Sequence, residues 1–289
     1  MKKQEDPFVR PYLKWAGGKR QLVREILPKC PSKYNTYYEP FVGGGAIFFA
    51  LRPDSAVISD LNDQLCLTYR AIKDDVEELI EKLKEHKRNN SKDYYYMIRE
   101  LDREPDFKTY SNVDKAARLI YLNKTCYNGL YRVNSMGYFN TPYGKYKNPA
   151  IFDEEILLAI NKYLNSANIE IKNESFEHSV HDAEKGDFVY FDPPYDSPNC
   201  TNFTGYQAGG FDHKSQTLLR DVMVDLTDRG VKCLMSNAAT DFIIQLFEEE
   251  ASDKFKIEYV SANRTIGSNV DSRGKVDEVL IRNYDLRIS

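Results

Sequence analysis

Asp192-Pro193-Pro194-Tyr195 sets a carboxylate, two prolines and an aromatic ring in succession, directly behind the apolar run Phe188-Val189-Tyr190-Phe191. Proline cannot donate to a sheet ladder, and it holds the preceding residue extended. The string therefore reads as a rigid corner at the C-terminal end of a buried strand. It offers a carboxylate and backbone carbonyls as acceptors, with a ring beside them. In open α/β sheets ligands bind at that end of the strands. Taken alone, the same residues read equally as a solvated turn, since Asp and Pro are common there.

A second set lies near the N-terminus. Phe41-Val42-Gly43-Gly44-Gly45 joins a short apolar run to a helix-like segment, and Asp60 follows Gly43 by 17 positions. Glycines there permit positive φ and close approach of a ligand to the backbone. The acid falls near the roughly 20-residue offset at which a carboxylate meets a ribose hydroxyl. The string is neither GxGxxG nor followed by GK[ST], which argues against a Walker-type phosphate loop. A nucleoside-bearing ligand is the chemical reading, and a plain structural turn is the alternative. Lys14-Trp15-Ala16-Gly17-Gly18-Lys19 is basic and glycine-bracketed, and by itself Lys19 reads as a solvated lysine. His178 and His181 have the spacing of a metal pair, but no third ligand is near, so they read as surface residues and no metal is expected.

These residues need elements to hold them. Tyr37–Val42, Ala56–Asp60, Ile169–Ile171, Val231–Asn237, Phe255–Val260 and Val279–Tyr284 read as strands, and 187–195 as a strand with its corner. Helices are expected over Gln21–Leu27, ended by Pro28 and Pro31, then 62–87, Val113–Lys124, 153–164, His213–Asp228 and from the cap Thr240 to Glu250. Residues 88–112 read as loop with short helix. Residues 125–149, rich in Gly, Pro, Asn and Tyr, read as turn-rich hairpin. Strands alternate with helices at both ends, so the economical architecture is one α/β sheet interrupted by an inserted module.

The composition sets outer bounds. The chain has 289 residues, 42% hydrophobic and 29% charged, and a net charge of −4, so attraction to nucleic acid must be local. From Arg118 to Phe152 it carries Arg118, Lys124, Arg132, Lys145 and Lys147 with no acid before Asp153, a local basic island. The five scattered cysteines form no CxxC pair, and no apolar run approaches a membrane span. A reducing, cytoplasmic setting and no membrane partner are expected, since the N-terminus has no signal-peptide pattern.

In chain order, Lys14–Lys19, Glu39-Pro40-Phe41-Val42-Gly43-Gly44-Gly45, Asp60 and Asp192-Pro193-Pro194-Tyr195 resemble the DNA adenine-N6 methyltransferases of the Dam type (D12 class, alpha group, with GATC-specific members). The resemblance runs from Lys14 to about Tyr284, and includes Tyr127-Asn128-Gly129-Leu130-Tyr131-Arg132 and Phe139–Tyr146. It implies a Rossmann-like S-adenosylmethionine-dependent methyltransferase sheet with an inserted helical/β-hairpin target-recognition domain. Residues 1–64 and 165–289 would form a discontinuous catalytic domain, and 65–164 the recognition domain. It implies S-adenosyl-L-methionine as cofactor, held by Trp15, Lys19, Phe41, Gly43, Gly45, Asp60 and Asp192. Asp60 would accept from the ribose and Lys19 would pair with the methionine carboxylate. Asp192, Pro193, Pro194 and Tyr195 would be catalytic. Double-stranded DNA would meet Lys14, Tyr127, Asn128, Leu130, Arg132, Pro142, Lys145 and Lys147.

The chemistry implied is methylation of N6 on an adenine flipped out of the duplex, within GATC. Tyr127 or Leu130 would fill the gap, Arg132 would read guanine, Pro142 would make an apolar contact, and the two lysines would meet phosphates. The loop Asn202–Tyr206 would close over the base, with Arg264, Arg273 and Lys275 gripping backbone from a polar loop. A cognate restriction endonuclease, acting separately, is an implied partner. Two alternatives share the motifs: an RNA methyltransferase acting on a base amino group, and a catalytically silent DNA-binding regulator.

Overall fold

Pro40 decides where the first strand stops. β1 (Tyr37–Glu39) is buried throughout and ends one residue before it, short of the Val42 limit that the apolar run suggests. The remaining strands are β2 (Ser55–Ser59), β3 (Asn168–Lys172), β4 (Phe188–Phe191), β5 (Lys232–Ala238), β6 (Lys256–Asn263) and β7 (Lys275–Arg282). They form one seven-stranded sheet in the order β3-β2-β1-β4-β5-β7-β6. Strands β1 to β5 pair in parallel, with Tyr38 opposite Val57 on one side and Val189 on the other. β7 runs antiparallel between β5 and β6. Strand order runs outward from β1 through β2 to β3, and in the opposite sense from β4 to β5. The reversal between β1 and β4 is the switch point outside which a ligand crevice forms in such sheets. The structure, a computed structural model, describes residues 7–15, 17, 22–197, 211–249, 251, 253–263 and 275–286.

Alternate residues of each strand feed opposite faces, as the pleat requires. Tyr37, Ile58, Phe188, Tyr190, Leu234 and Leu280 pack into one apolar cluster, and Tyr38, Val57, Val189, Phe191, Met235 and Ile281 into another. The helices are α1 (Val23–Ile26), α2 (Ala46–Leu51), α3 (Asp63–Asp74), α4 (Val76–Asn89), α5 (Lys92–Glu100), α6 (Asn112–Thr125), α7 (Glu154–Ser166), α8 (Phe176–Ser179), α9 (His213–Asp228) and α10 (Asp241–Glu248). The first cluster continues from the sheet through α3, α4, α6 and α7 to Tyr131 and Phe139 of the turn-rich segment. The second is closed by α8, α9 and α10.

Several expectations are corrected. The helical stretch 62–87 is two helices, broken at Asp75, whose φ of −135° and ψ of 41° leave the helical region. Pro28 does not end a helix; it sits inside a 3-10 turn, Leu27–Lys29, that continues α1. Residues 88–112 mix loop with short helix as expected; the helix, α5, is started by the Ser91 hydroxyl accepting from the Tyr94 N–H. Lys275 opens β7 and is not in a loop. Arg118 does not belong to a basic surface: it is 2% exposed and paired with Asp102 at 2.8 Å. Among the described residues, Cys30, Cys66, Cys126 and Cys233 are free thiols, and no helix is long and apolar enough to cross a membrane.

Candidate active site and nucleic-acid interface

The turn after β1 is built by glycine. Gly43 and Gly45 have φ of +48° and +71°, a region that side chains other than glycine rarely adopt. A Cβ on Gly43 would lie 2.9 Å from Cδ1 of Trp15, and one on Gly45 would lie 2.7 Å from the Tyr69 hydroxyl. That hydroxyl donates to the Gly43 carbonyl at 3.0 Å, pinning the turn to α3. The Gly43 N–H donates to Asp60 Oδ2 at 3.1 Å, and the Asn62 N–H to Oδ1 at 2.9 Å. The carboxylate past β2 is thus tied to the glycine turn past β1. Burial pushes Asp60 up to about 6, with the two N–H donors opposing the rise. Phe41 stacks on Phe176, centroids 5.4 Å apart, as an apolar wall of the same cup.

The corner past β4 is held from three sides. Ser236 Oγ, at the end of β5, donates to Asp192 Oδ1 at 3.1 Å and lies 2.9 Å from the Tyr190 hydroxyl. Register explains the pairing: Phe191 sits opposite Met235, so the next residues, Asp192 and Ser236, are neighbours. Gln216 of α9 donates to the Pro194 carbonyl at 3.0 Å, and its own Oε1 accepts from Asn237 at 3.0 Å. The Tyr195 hydroxyl donates to Glu278 of β7 at 2.7 Å. Burial first, then the charges of Asp192 and Glu278, push that hydroxyl well above its ordinary value. Just beyond, Asp196 accepts from the Thr240 hydroxyl at 2.5 Å and lies 3.2 Å from His213 Nε2.

Between the two halves is Glu39, 2% exposed, accepting from the Tyr37 hydroxyl at 2.6 Å. Burial drives its carboxyl well above the usual range, and the Asp192 charge adds to that. Glu39, Asp60 and Asp192 stand just at or past the carboxyl ends of β1, β2 and β4; β1 and β4 flank the switch point and β2 lies beside β1.

All eight residues expected to meet DNA are exposed: Lys14, Tyr127, Asn128, Leu130, Arg132, Pro142, Lys145 and Lys147. Most sit on a hairpin-like segment closed by bridges between Cys126 and Tyr143 and between Val133 and Phe139. Tyr127 is 56% exposed, so it is not a core ring. Arg132 is oriented by Asn140, with Nε donating to its Oδ1 at 2.7 Å. The buried Arg118–Asp102 pair anchors the segment, since Asp102 Oδ2 also accepts from the Phe139 N–H at 2.8 Å. The segment abuts the cofactor-type cup, because Tyr131 stacks on Trp15 with centroids 5.1 Å apart. Lys19, the loop Asn202–Tyr206, Arg264 and Arg273 lie outside the described residues.

Sequence reasoning did not find Ser236, Gln216, Asn237 or Glu278. Ser236 and Asn237 are in a strand that reads as buried, where only a polar residue hints at a role, and Glu278 falls just before the expected strand Val279–Tyr284. Among the described residues, no group of three or more His, Cys, Asp and Glu could hold a metal ion.

The family profile described as D12 class N6 adenine-specific DNA methyltransferase matches residues 15–266. A Lactococcus lactis subsp. cremoris protein named type II methyltransferase M1.LlaDCHI is 46% identical over 277 residues, covering 96% of both chains. A Methanocaldococcus jannaschii protein named type II methyltransferase M.MjaIII is 42% identical over 96% of this chain and 99% of its own. The Escherichia coli K12 protein named DNA adenine methylase is 33% identical over 94% of each chain.

Proposed function

The chain belongs to the D12 class of N6 adenine-specific DNA methyltransferases, and we propose that it methylates the adenine of GATC in duplex DNA with S-adenosylmethionine as donor. The observation that carries this reading is the gathering of three parts at the carboxyl ends of the inner strands: the Gly43–Asp60 cup, the Asp192–Tyr195 corner, and the exposed hairpin stacked on Trp15. The cup suits a nucleoside-bearing cation. Its glycine turn packs directly against Trp15, Asp60 offers acceptors to a ribose, and Asp192 adds a carboxylate. Trp15 and Phe41 wall it, and Lys19 is assigned to the donor carboxylate. Bound there, S-adenosylmethionine supplies an electrophilic methyl on a sulfonium whose thioether leaves readily.

The protein's task is the nucleophile. The N6 lone pair of adenine is delocalised into the ring and attacks poorly. Asp192 and the Pro193 carbonyl accept the two amino hydrogens, favour a pyramidal nitrogen and stabilise the positive charge that develops on it. Ser236 fixes the carboxylate, and Gln216 fixes the turn by its grip on the Pro194 carbonyl. Tyr195 stacks on the base, its ring angle set by Glu278. Asp192 need not be a strong base, because the methylated nitrogen is very acidic until it loses its proton. Positioning supplies much of the rest.

An adenine inside a duplex cannot reach this corner and must be flipped. Tyr127 and Leu130, both exposed, are assigned to the gap, Arg132 to guanine, Pro142 to an apolar contact, and Lys14, Asn128, Lys145 and Lys147 to the backbone. On this reading residues 65–164 are the recognition module, and 1–64 with 165–289 the catalytic one. The names of the relatives suggest a separate restriction endonuclease as a functional partner. The test is methyl transfer from labelled donor to duplexes with and without GATC. N6-methyladenine confined to the GATC duplex is expected, and its absence from both would sink the reading.

A further inference from the structure

Tyr131 is a hairpin residue whose side chain leaves the hairpin. Its neighbours Leu130 and Arg132 are exposed, while Tyr131 itself is 6% exposed. That alternation is what an extended segment imposes, one residue facing out and the next facing in. Inward, the ring stacks on Trp15 at 5.1 Å with an interplanar angle of 28°, and Phe139 meets its other neighbourhood edge-on at 5.7 Å. Trp15 in turn lies against Gly43, close enough to forbid a Cβ there. The Tyr131 hydroxyl interacts with the side chain of Asn62, whose N–H donates to Asp60. Through Trp15 and Asn62 the Tyr131 side chain is therefore linked to both arms of the donor cup. A second clip ties the same parts: Asn123, fully buried, holds both backbone groups of Lys14 at 3.0 and 2.7 Å and the Gly129 carbonyl at 3.1 Å.

We propose that Tyr131 is a positioning residue that couples reading of the DNA target to binding of the methyl donor, so that each ligand tightens the other. The proposal rests on the functional reading given above. Arg132 reads the base, and any displacement of its backbone is shared by the adjacent Tyr131. Tyr131 moves only against Trp15 and Asn62, which shape the cup. Because interiors are close-packed, such contacts shift between discrete arrangements rather than yield softly. Linkage then makes the effect mutual: the factor by which a cognate duplex tightens the donor site equals that by which the donor tightens the duplex.

Trp15 is the sole tryptophan and stands at the junction, so its emission reports occupancy of the cup. The experiment titrates S-adenosylhomocysteine by Trp15 emission and by calorimetry, with the protein alone, with a GATC duplex and with a duplex lacking GATC. In the wild type the GATC duplex is expected to lower the dissociation constant at least about 5-fold. In Tyr131→Leu the ratio is expected to fall to about 1, with affinity in the absence of DNA changed much less. Tyr131→Phe, which keeps the ring, is expected to keep most of the ratio. Phe139→Leu removes the edge-on ring contact that helps hold Tyr131 and is expected to reduce the ratio, and it serves if Tyr131→Leu does not fold. A wild-type ratio retained in whichever of these two folds overturns the proposal. A wild type that methylates GATC yet shows a ratio of 1 overturns the coupling alone, whereas failure to methylate overturns the underlying functional reading.

Discussion

Asp192 is positioned by a hydroxyl that no linear motif contains. Ser236 donates to it from 44 residues away. A hydrogen bond to a charged group contributes about 1.5–3 kcal/mol. Ser236→Ala is therefore expected to lower kcat roughly 10- to 100-fold, with DNA affinity unchanged in a filter-binding assay. Asp60 gives a second expectation. Its carboxyl is raised from 3.8 to about 6, so the folded protein holds a proton there that the unfolded chain releases. Ionising Asp60 thus costs the empty protein stability as pH rises across that window, while on the proposed reading the protonated group loses an acceptor for the ribose. kcat/KM for the donor is expected to fall as pH drops below about 6. Asp60→Asn should flatten that limb, and a limb unchanged in the variant would remove Asp60 as its origin. The motif residues were legible in the sequence because they are consecutive or regularly spaced. Ser236, Gln216 and Glu278 were not, because each acts across the sheet on a residue remote in the chain.

The hairpin-like segment has little regular sheet of its own; among the described residues it is held by two isolated bridges and by side chains reaching in from α5, α6 and the 3-10 turn Leu101–Arg103. Asp102 is the centre of that support, accepting from buried Arg118, from Arg103 and from the Phe139 N–H. Removing one partner of a buried pair leaves the other charge uncompensated, at a cost of about 3–5 kcal/mol. Asp102→Ala is expected to lose stability of that order in denaturant titration, a loss under about 1 kcal/mol being the result that contradicts it. Arg118 also shows where counting charges along a chain misleads. The basic island was real as a sequence pattern, yet one of its five members is an interior strut. Periodicity located most strands and long helices for a plain reason: alternate or helically spaced apolar residues feed the two clusters directly. It did not reveal α8, only four residues long, or the break at Asp75, across which the helical pattern continues.

At the scale of the molecule, a chain of net charge −4 must approach a polyanion through local charge. Each phosphate neutralised contributes about 0.9 to the slope of log affinity against log salt. Lys145→Ala with Lys147→Ala is expected to reduce that slope by up to about 1.8 on any duplex. Arg132→Ala should instead remove about 1–3 kcal/mol of preference for GATC over other sites. Equal losses on all duplexes for Arg132→Ala would argue against base reading. The sheet order adds a consequence measured in time. β7 is the last strand in the sequence, yet it lies between β5 and β6, and it carries the carboxylate that holds Tyr195. During synthesis Tyr195 leaves the ribosome 83 positions before that partner does. Until β7 slides into its slot, the sheet keeps an open seam and the ring has no fixed angle. The protein thus becomes competent to mark DNA only after β7 has been made, and a nascent chain that stops short of β7 carries the signature residues without their alignment.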